Sequence, residues 1–336
     1  MHMSDALISP AVAGVMATAS TGLIAYSVYK TKDELEEKKI PLMGVMGAFV
    51  FAAQMINFTI PGTGSSGHIG GGLLLASILG PAPAFLVMST VLIIQALFFA
   101  DGGVLALGCN IFNMGFYGCM IAYPLIFKPI MKKGFSKGRI VLASILASVI
   151  GLQLGAFSVV IETLLSGRTE LPFTSFVLLM QPIHLAIGIG EGIITAGVLC
   201  FIHSARPEIL EYEVSGKKLG LSISLKKVTI TMVVLAALVG GVLSLYASSY
   251  PDGLEWSMGN IIGEKELQTE GKAYKKAENI QETTSFMPDY NFKNANEDSS
   301  IGTSAAGIVG GAITLIFAFL IGFIISKIKK NKTVMN

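Results

Sequence analysis

The sequence predicts an all-α integral membrane protein, and three observations support this prediction. Of its 336 residues, 52% are hydrophobic and only 14% are charged, whereas a typical soluble domain carries about 25% charged residues. Apolar runs long enough to cross a bilayer as helices recur along the chain, separated by polar breaks. Four of these breaks hold 18 of the 24 Lys and Arg residues: 30–39, 128–139, 203–227 and 327–332. The net charge of +2 gives no indication of a nucleic-acid partner.

The apolar runs are interpreted as helices in chain order, and each is bounded by charged, Gly-rich or Pro-containing sequence. They lie at 6–29, 40–58, 69–79, 84–100, 104–127, 140–161 and 174–202, and then at 228–247 and 305–326. The run 69–79 is short for a full span. It is counted as a crossing because the basic breaks then all fall on one side of the membrane.

Because Lys and Arg concentrate in cytoplasmic loops, the basic breaks are assigned to the cytoplasm. This places the amino terminus outside the membrane and the carboxyl terminus in the cytoplasm. The predicted organisation is a seven-helix domain over 1–202, a cytoplasmic linker over 203–227 and a two-helix module over 228–336. The module contains an outer loop, 248–304, with ten Asp and Glu against five Lys.

The first residues form a candidate metal site. The terminal amine of Met1, the amide nitrogen of His2 and His2 Nδ1 can close two chelate rings around one ion. A fourth nitrogen would complete the square-planar field typical of Ni(II) or Cu(II). His68 lies in a Gly-rich loop predicted on the same side of the membrane, which makes it the natural fourth ligand. A chance histidine in a frayed terminus fits the spacing of Met1 and His2 as well.

Other polar residues are candidates for supporting roles. Four of them could orient the ligands, or could simply be loop and helix-capping residues: Asp5, Asn57, Ser65 and Ser66. His184 and Glu191 lie seven residues apart on one face of a predicted span. Ionisable groups there indicate either a release path for the metal or hydrogen bonds between helices.

No residues predict an enzyme or a nucleotide site in this chain. The GxGxxG match at 62–67 follows a membrane helix instead of a strand, so it does not predict dinucleotide binding. No GxxxxGK[ST] motif occurs, and no carboxylate pair or nucleophile–base arrangement points to catalysis. The amino terminus lacks the basic start of a signal peptide, so Met1 is expected to be retained.

Three stretches together resemble the metal-binding M component of energy-coupling-factor (ECF) transporters for nickel and cobalt: MHMSDALISPAVAG, GTGSSGHIGGG and QPIHLAIGIGEGIITAGV. PDGLE at 251–255 resembles the small N component of the same systems, so the chain looks like an M–N fusion. The amino-terminal pattern is more similar to the nickel branch than to the cobalt branch.

The resemblance implies an S-component-like bundle in a bacterial or archaeal cytoplasmic membrane. It implies that Met1, His2 and His68 bind the transported metal. It also implies a transmembrane T component and two ABC-type ATPase subunits as partners, which would supply ATP hydrolysis. Two alternatives stay open: the same role with Co(II) as substrate, and a secondary metal transporter that needs no ATP.

Overall fold

A computed structural model of the chain describes residues 2–34, 36–168, 171–216, 225–263, 271–293 and 300–335. These residues are mostly helical, which confirms the predicted class. Within these residues, six helices are long and apolar enough to cross a membrane: Pro10–Lys32, Pro81–Phe98, Leu107–Met131, Lys137–Ser166, Phe173–Ala205 and Ser300–Lys329. Many large apolar side chains on these helices are exposed in the isolated chain, as expected for surfaces that face lipid.

The first α-helices and strands of the described residues are separated by short turns. In order they are α1 (Pro10–Glu34), α2 (Ile40–Gln54), the antiparallel strands β1 (Phe58–Ile60) and β2 (Ser65–Gly67), α3 (Gly72–Leu79), α4 (Pro81–Phe98) and α5 (Leu107–Asn110). The helix continues from α5 as a wider π-helix over Ile111–Phe127 and ends as α6 (Lys128–Met131).

The remaining elements are also helical. They are α7 (Lys137–Ser166), α8 (Phe173–Ala205), α9 (Pro207–Ser215), α10 (Lys226–Gly241), α11 (Gly253–Ile262), α12 (Lys272–Thr284) and α13 (Ser300–Met335). The predicted helices were the long apolar runs, and the hairpin and the helices α9, α11 and α12 lie largely outside these runs. The sequence therefore did not predict them.

Helix α2 is the centre of the packing, because 13 of its 15 residues are buried. It contacts α4, α10 and α13, so helices of the carboxyl-terminal module share a core with the amino-terminal part. Gly44 lets the α13 backbone approach closely: a Cβ there would lie 2.7 Å from the Leu315 carbonyl oxygen. Small residues commonly allow such contacts between membrane helices.

Helix α9, in the polar stretch after α8, is anchored to the bundle. Lys39 is buried and forms an ion pair with Glu213 of α9. The Lys39 Nζ also donates to the Ile78 carbonyl at 3.0 Å and lies 4.2 Å from the centre of the Tyr212 ring. Both charged groups of the pair are largely removed from water. These contacts hold α9 against the start of α2 and the end of α3.

The number of membrane crossings stays a prediction. Helices α2 and α3 have 15 and 8 residues, whereas a straight crossing needs about 20. The apolar run that begins at residue 40 also ends as a helix at Gln54, four residues earlier than predicted, because the hairpin follows.

Candidate metal site

The segment around His2 is held in place by Asn110 of α5 and by the turn before α5. The Met3 amide donates to Asn110 Oδ1 at 2.8 Å, and Asn110 Nδ2 donates to the Met3 carbonyl at 3.1 Å. The Gly103 amide donates to the same carbonyl at 2.9 Å. Gly102 has φ +79°, and a Cβ there would lie 2.8 Å from Asn110 Nδ2 and 3.3 Å from His2 Cβ. This turn therefore needs glycine to pass beside His2.

The loop that carries His68 leaves β2 and is held by a side chain of α8. Glu191 Oε2 accepts from the Gly70 amide at 2.9 Å, and Oε1 accepts from the Gly71 amide at 3.0 Å. His68 Nδ1 lies 3.0 Å from the Ile69 carbonyl oxygen. Because a carbonyl only accepts, Nδ1 carries the proton and the lone pair of the neutral ring is on Nε2.

The two predicted imidazole ligands meet, although 65 residues separate them in the sequence. The rings of His2 and His68 stack with their centres 5.1 Å apart and their planes at 24°. Burial lowers the pKa of His2 against the opposing effect of Asp101, and burial also lowers the pKa of His68. Both rings are therefore favoured in the neutral form, which is the form that binds a metal.

His2 has two further polar neighbours. Its Nε2 lies 3.1 Å from Gln95 Oε1, and its Nδ1 lies 3.3 Å from Asp101 Oδ1. The other Asp101 oxygen accepts a hydrogen bond from the Tyr290 hydroxyl. Sequence reasoning missed Gln95 and Asp101, because neither lies near either histidine in the sequence.

His184 lies on α8, close to the loop that carries His68. Its Nδ1 lies 2.8 Å from the Met180 carbonyl and therefore donates to it, while its buried Nε2 has no hydrogen-bond partner among the described residues. A small cavity is lined by His68, His184, Met114 and Asp252, among others. His184 is thus close to the candidate site, while Glu191 binds the backbone of the His68 loop.

The segment 248–256 of the carboxyl-terminal module lies directly on the hairpin. The Ser66 amide donates to the Pro251 carbonyl at 2.8 Å, and its hydroxyl donates to the Tyr250 carbonyl at 2.7 Å. Trp256 Nε1 donates to the Thr63 carbonyl at 3.0 Å. The start of the carboxyl-terminal module is therefore bonded to the hairpin that precedes His68.

The PDGLE motif begins α11 through a capping box. Asp252 Oδ1 accepts from the amides of Leu254 and Glu255 at 2.8 and 2.9 Å, and Glu255 Oε2 accepts from the Asp252 amide at 3.3 Å. This arrangement explains the spacing of Asp and Glu in the motif. A Cβ on Gly253 would lie 3.0 Å from His184 Cε1, so glycine is what allows α11 to begin against His184.

The residues expected to orient the ligands have other partners. Asp5 Oδ1 accepts from the Ala106 amide at 2.9 Å, which links the amino-terminal segment to the turn before α5. Ser65, like Ser66, donates toward the Pro251 carbonyl, at 3.4 Å. The Asn57 carbonyl accepts from the Ser248 amide at 2.7 Å, and its buried Oδ1 has no partner among the described residues.

Met1, the third predicted source of ligands, lies outside the described residues. Within the described ranges, no three His, Cys, Asp or Glu side chains converge on a point that could hold a metal ion. The structure thus brings together His2 and His68.

Comparison with known proteins matches both parts of the chain. Residues 2–209 match the family described as the cobalt uptake substrate-specific transmembrane region, and residues 226–327 match the PDGLE domain. A relative from Archaeoglobus fulgidus named "Putative fused nickel transport protein NikMN" is 32% identical over 95% of this chain and 97% of its own length.

Other relatives carry nickel or cobalt in their names. "Fused nickel transport protein NikMN" from Rhodobacter capsulatus is 32% identical, over 62% of this chain and 64% of its own. "Cobalt transport protein CbiM" from Sorangium cellulosum is 31% identical, over 56% of this chain and 84% of its own.

The chain also resembles a solved structure. A crystal structure of a transition metal transporter is 30% identical, with a TM-score of 0.55, and covers 65% of this chain and 100% of its own. The chain is therefore a multi-pass membrane protein that belongs to the CbiM family of cobalt uptake substrate-specific transmembrane regions and carries a PDGLE domain after it.

Proposed function

We propose that this chain is the metal-capturing subunit of an ATP-driven ECF importer and that its substrate is Ni(II). The observation that carries the proposal is the stacking of the His2 and His68 rings at 5.1 Å. The full-length match to a relative named for fused nickel transport supports nickel. In the proposed site, the Met1 amine, the His2 amide nitrogen, His2 Nδ1 and His68 Nε2 form a square-planar set of four nitrogens.

Three features of the described residues support this ligand set. His68 donates its Nδ1 proton to a backbone carbonyl, which leaves Nε2 as the electron-pair donor. The Asp101 carboxylate lies 3.3 Å from His2 Nδ1, so it provides negative charge beside an incoming cation. The hydrogen bonds of the Met3 backbone to Asn110 hold the segment from which the chelate would be formed.

Release to the cytoplasm is proposed to pass His184. His184 Nε2, which has no hydrogen-bond partner among the described residues, and the ring of His68 line the same cavity. A metal that leaves the four-nitrogen site would therefore next meet an imidazole. Glu191 is proposed to act through the loop, because both its oxygens bind the backbone next to His68. The chain is not proposed to be an enzyme. A T component and two ATPase subunits are its proposed partners.

The direct test is nickel titration of the purified chain with an unmodified Met1 terminus. One Ni(II) per chain is expected, with weaker binding in both His2→Ala and His68→Ala. His203→Ala is the matched control, because His203 stacks on Phe135 at the far end of α8. An added amino-terminal residue should also abolish binding, because it removes the amine and shifts the chelate. Unchanged affinity in both the His2 and His68 variants would refute the proposed site.

Co(II) is the second candidate substrate, since the matched family is described by cobalt uptake. Competition between the two metals for the same site would separate the candidates. Tighter Co(II) binding would reverse the assignment and would retain the ligands. Metal uptake into liposomes by the isolated chain, driven by a proton gradient without ATP, would contradict the ECF mechanism.

The orientation is proposed from the basic residues, with the amino terminus outside and the carboxyl terminus in the cytoplasm. Single cysteines at exposed positions would test it in whole cells. Glu278→Cys on α12 should react with an impermeant thiol reagent, and Lys132→Cys after α6 should react only after the cells are opened. Cys200 is replaced in the background because it is partly exposed, whereas Cys109 and Cys119 are buried.

A further inference from the structure

Two buried glutamines connect His2 to the loop that carries His68. Gln54 Nε2 donates to the Gly70 carbonyl at 2.8 Å, and Gln95 Nε2 donates to Gln54 Oε1 at 2.9 Å. The next contact joins Gln95 Oε1 to His2 Nε2 at 3.1 Å. Gln54 and Gln95 lie on α2 and α4 and are 5% and 0% exposed, so water does not compete for these bonds.

The direction of this hydrogen-bond chain follows from its last acceptor. The Gly70 carbonyl has no proton, so the Gln54 amide nitrogen has to face it. Gln54 Oε1 then faces Gln95 and requires a donor there, which is the Gln95 amide nitrogen. Gln95 Oε1 is left facing His2 and can only accept. His2 Nε2 must therefore carry a proton, because the opposite arrangement would place two oxygens against each other at one of these contacts.

We propose that Gln54 and Gln95 are positioning residues that hold His2 as the Nε2–H tautomer and thereby present the Nδ1 lone pair to the metal. The inference rests on the proposed function, because Nδ1 is the ring nitrogen that forms a chelate ring with the His2 amide. Histidines that bind metals generally donate their other ring N–H to a fixed acceptor. Here that acceptor is the amide oxygen of Gln95, and its orientation is set by the contact of Gln54 with the Gly70 carbonyl.

Asp101 is the competing acceptor for the His2 proton, because its Oδ1 lies 3.3 Å from His2 Nδ1. In the Nε2–H tautomer, the Nδ1 lone pair faces this carboxylate oxygen, and the two repel each other unless a cation lies beside both of them. The tautomer is therefore set by the orientation of Gln95 against the opposing effect of Asp101. His68 Nδ1 donates to the Ile69 carbonyl, which places the ring's lone pair on Nε2. In the proposed site, each ring binds the protein through one nitrogen and the metal through the other.

The hydrogen-bond chain also links the two ligand-bearing segments. Gly70 accepts from Gln54 through its carbonyl and donates to Glu191 through its amide. A shift of the loop after His68 would thus disturb the acceptor that holds His2. One connected set of bonds thus joins the two histidines, in addition to the contacts that hold the Met3 backbone.

The test measures the tautomer in the metal-free full chain, with ring ¹⁵N-labelled histidine and NMR at about pH 8, where an ordinary imidazole is neutral. The signals of His2 are identified by their loss in His2→Ala. His2 should show a protonated Nε2 and an unprotonated Nδ1. Gln95→Met should give a mixture of the two tautomers, and Gln95→Glu, which keeps an acceptor oxygen, should restore Nε2–H. A proton found mainly on Nδ1 in the unsubstituted protein would overturn the inference.

Nickel affinity gives the second readout. Gln95→Met should weaken Ni(II) binding by about 10- to 100-fold, the usual effect of removing a hydrogen-bond partner of a metal-binding histidine. The matched control is Gln153→Met, because Gln153 is a partly buried glutamine whose amide donates to the Gln181 carbonyl. Equal losses in both variants, or no loss in Gln95→Met, would overturn the inference. Failure of the unsubstituted chain to bind nickel would refute the proposed function. The tautomer of His2 is measured without metal, so this failure would not by itself decide the role of Gln95.

Discussion

Replacement of Glu191 by glutamine tests whether α8 controls the position of the His68 loop. Both carboxylate oxygens accept backbone N–H groups, from Gly70 at 2.9 Å and from Gly71 at 3.0 Å. Glutamine keeps one acceptor oxygen and turns an NH₂ group toward the other amide. Glu191→Gln therefore removes one hydrogen bond and leaves a buried backbone donor facing another donor.

The expected magnitude follows from the environment of these bonds. Glu191 is 3% exposed, and a hydrogen bond to a charged group contributes about 1.5–3 kcal/mol. The free energy of unfolding should fall by an amount in this range. If the lost hydrogen bond instead lets the His68 loop move without unfolding the protein, metal binding has to order this loop again. The affinity for nickel would then fall by up to roughly 10- to 150-fold, since 1.4 kcal/mol is a factor of ten.

Two assays on the same preparation separate these outcomes: thermal unfolding in detergent and nickel titration. Glu278→Gln is the matched control, because it makes the same chemical change at an exposed position on α12. Loss in either assay, beyond that of the control, would support the role of Glu191. A Glu191→Gln protein with unchanged unfolding temperature and unchanged nickel affinity would show that these two bonds do not hold the loop.

Three further predictions concern packing and linkage. Lys39→Met should destabilise the protein by about 3–5 kcal/mol because it removes the cation that is paired with the buried Glu213. The double variant Lys39→Met/Glu213→Leu should recover most of this loss in thermal unfolding. Gly253→Ala should lower the Tm, because the added Cβ would lie 3.0 Å from His184 Cε1 and such overpacking costs about 1–3 kcal/mol. The control Gly197→Ala should not lower the Tm, because no atom lies within 4 Å of a Cβ added there. Nickel at about 100 times its Kd should stabilise the chain by about 2.7 kcal/mol in unfolding assays, if one site binds only the folded state; a Tm that does not change with nickel would contradict this linkage.

The amino-acid sequence by itself determined the membrane class, the approximate positions of the long helices and the pairing of His2 with His68. Long apolar runs and the distribution of Lys and Arg are local features, and they predict spans without knowledge of packing. The pairing needed one more step, which was to place both histidines on one side of the membrane. The M–N resemblance was carried by short motifs and agrees with the two matched families.

Only the tertiary structure decided what surrounds the two histidines. Gln95 lies 93 residues from His2, and Glu191 lies 121 residues from Gly70, so no local pattern indicates these contacts. The hairpin before His68 and the helices α9, α11 and α12 lie largely in polar stretches outside the apolar runs, and they form hydrogen bonds or ion pairs with other segments. The sequence therefore identified the two histidines, and the packing of α2, α4 and α8 determined how the amides and the carboxylate hold them.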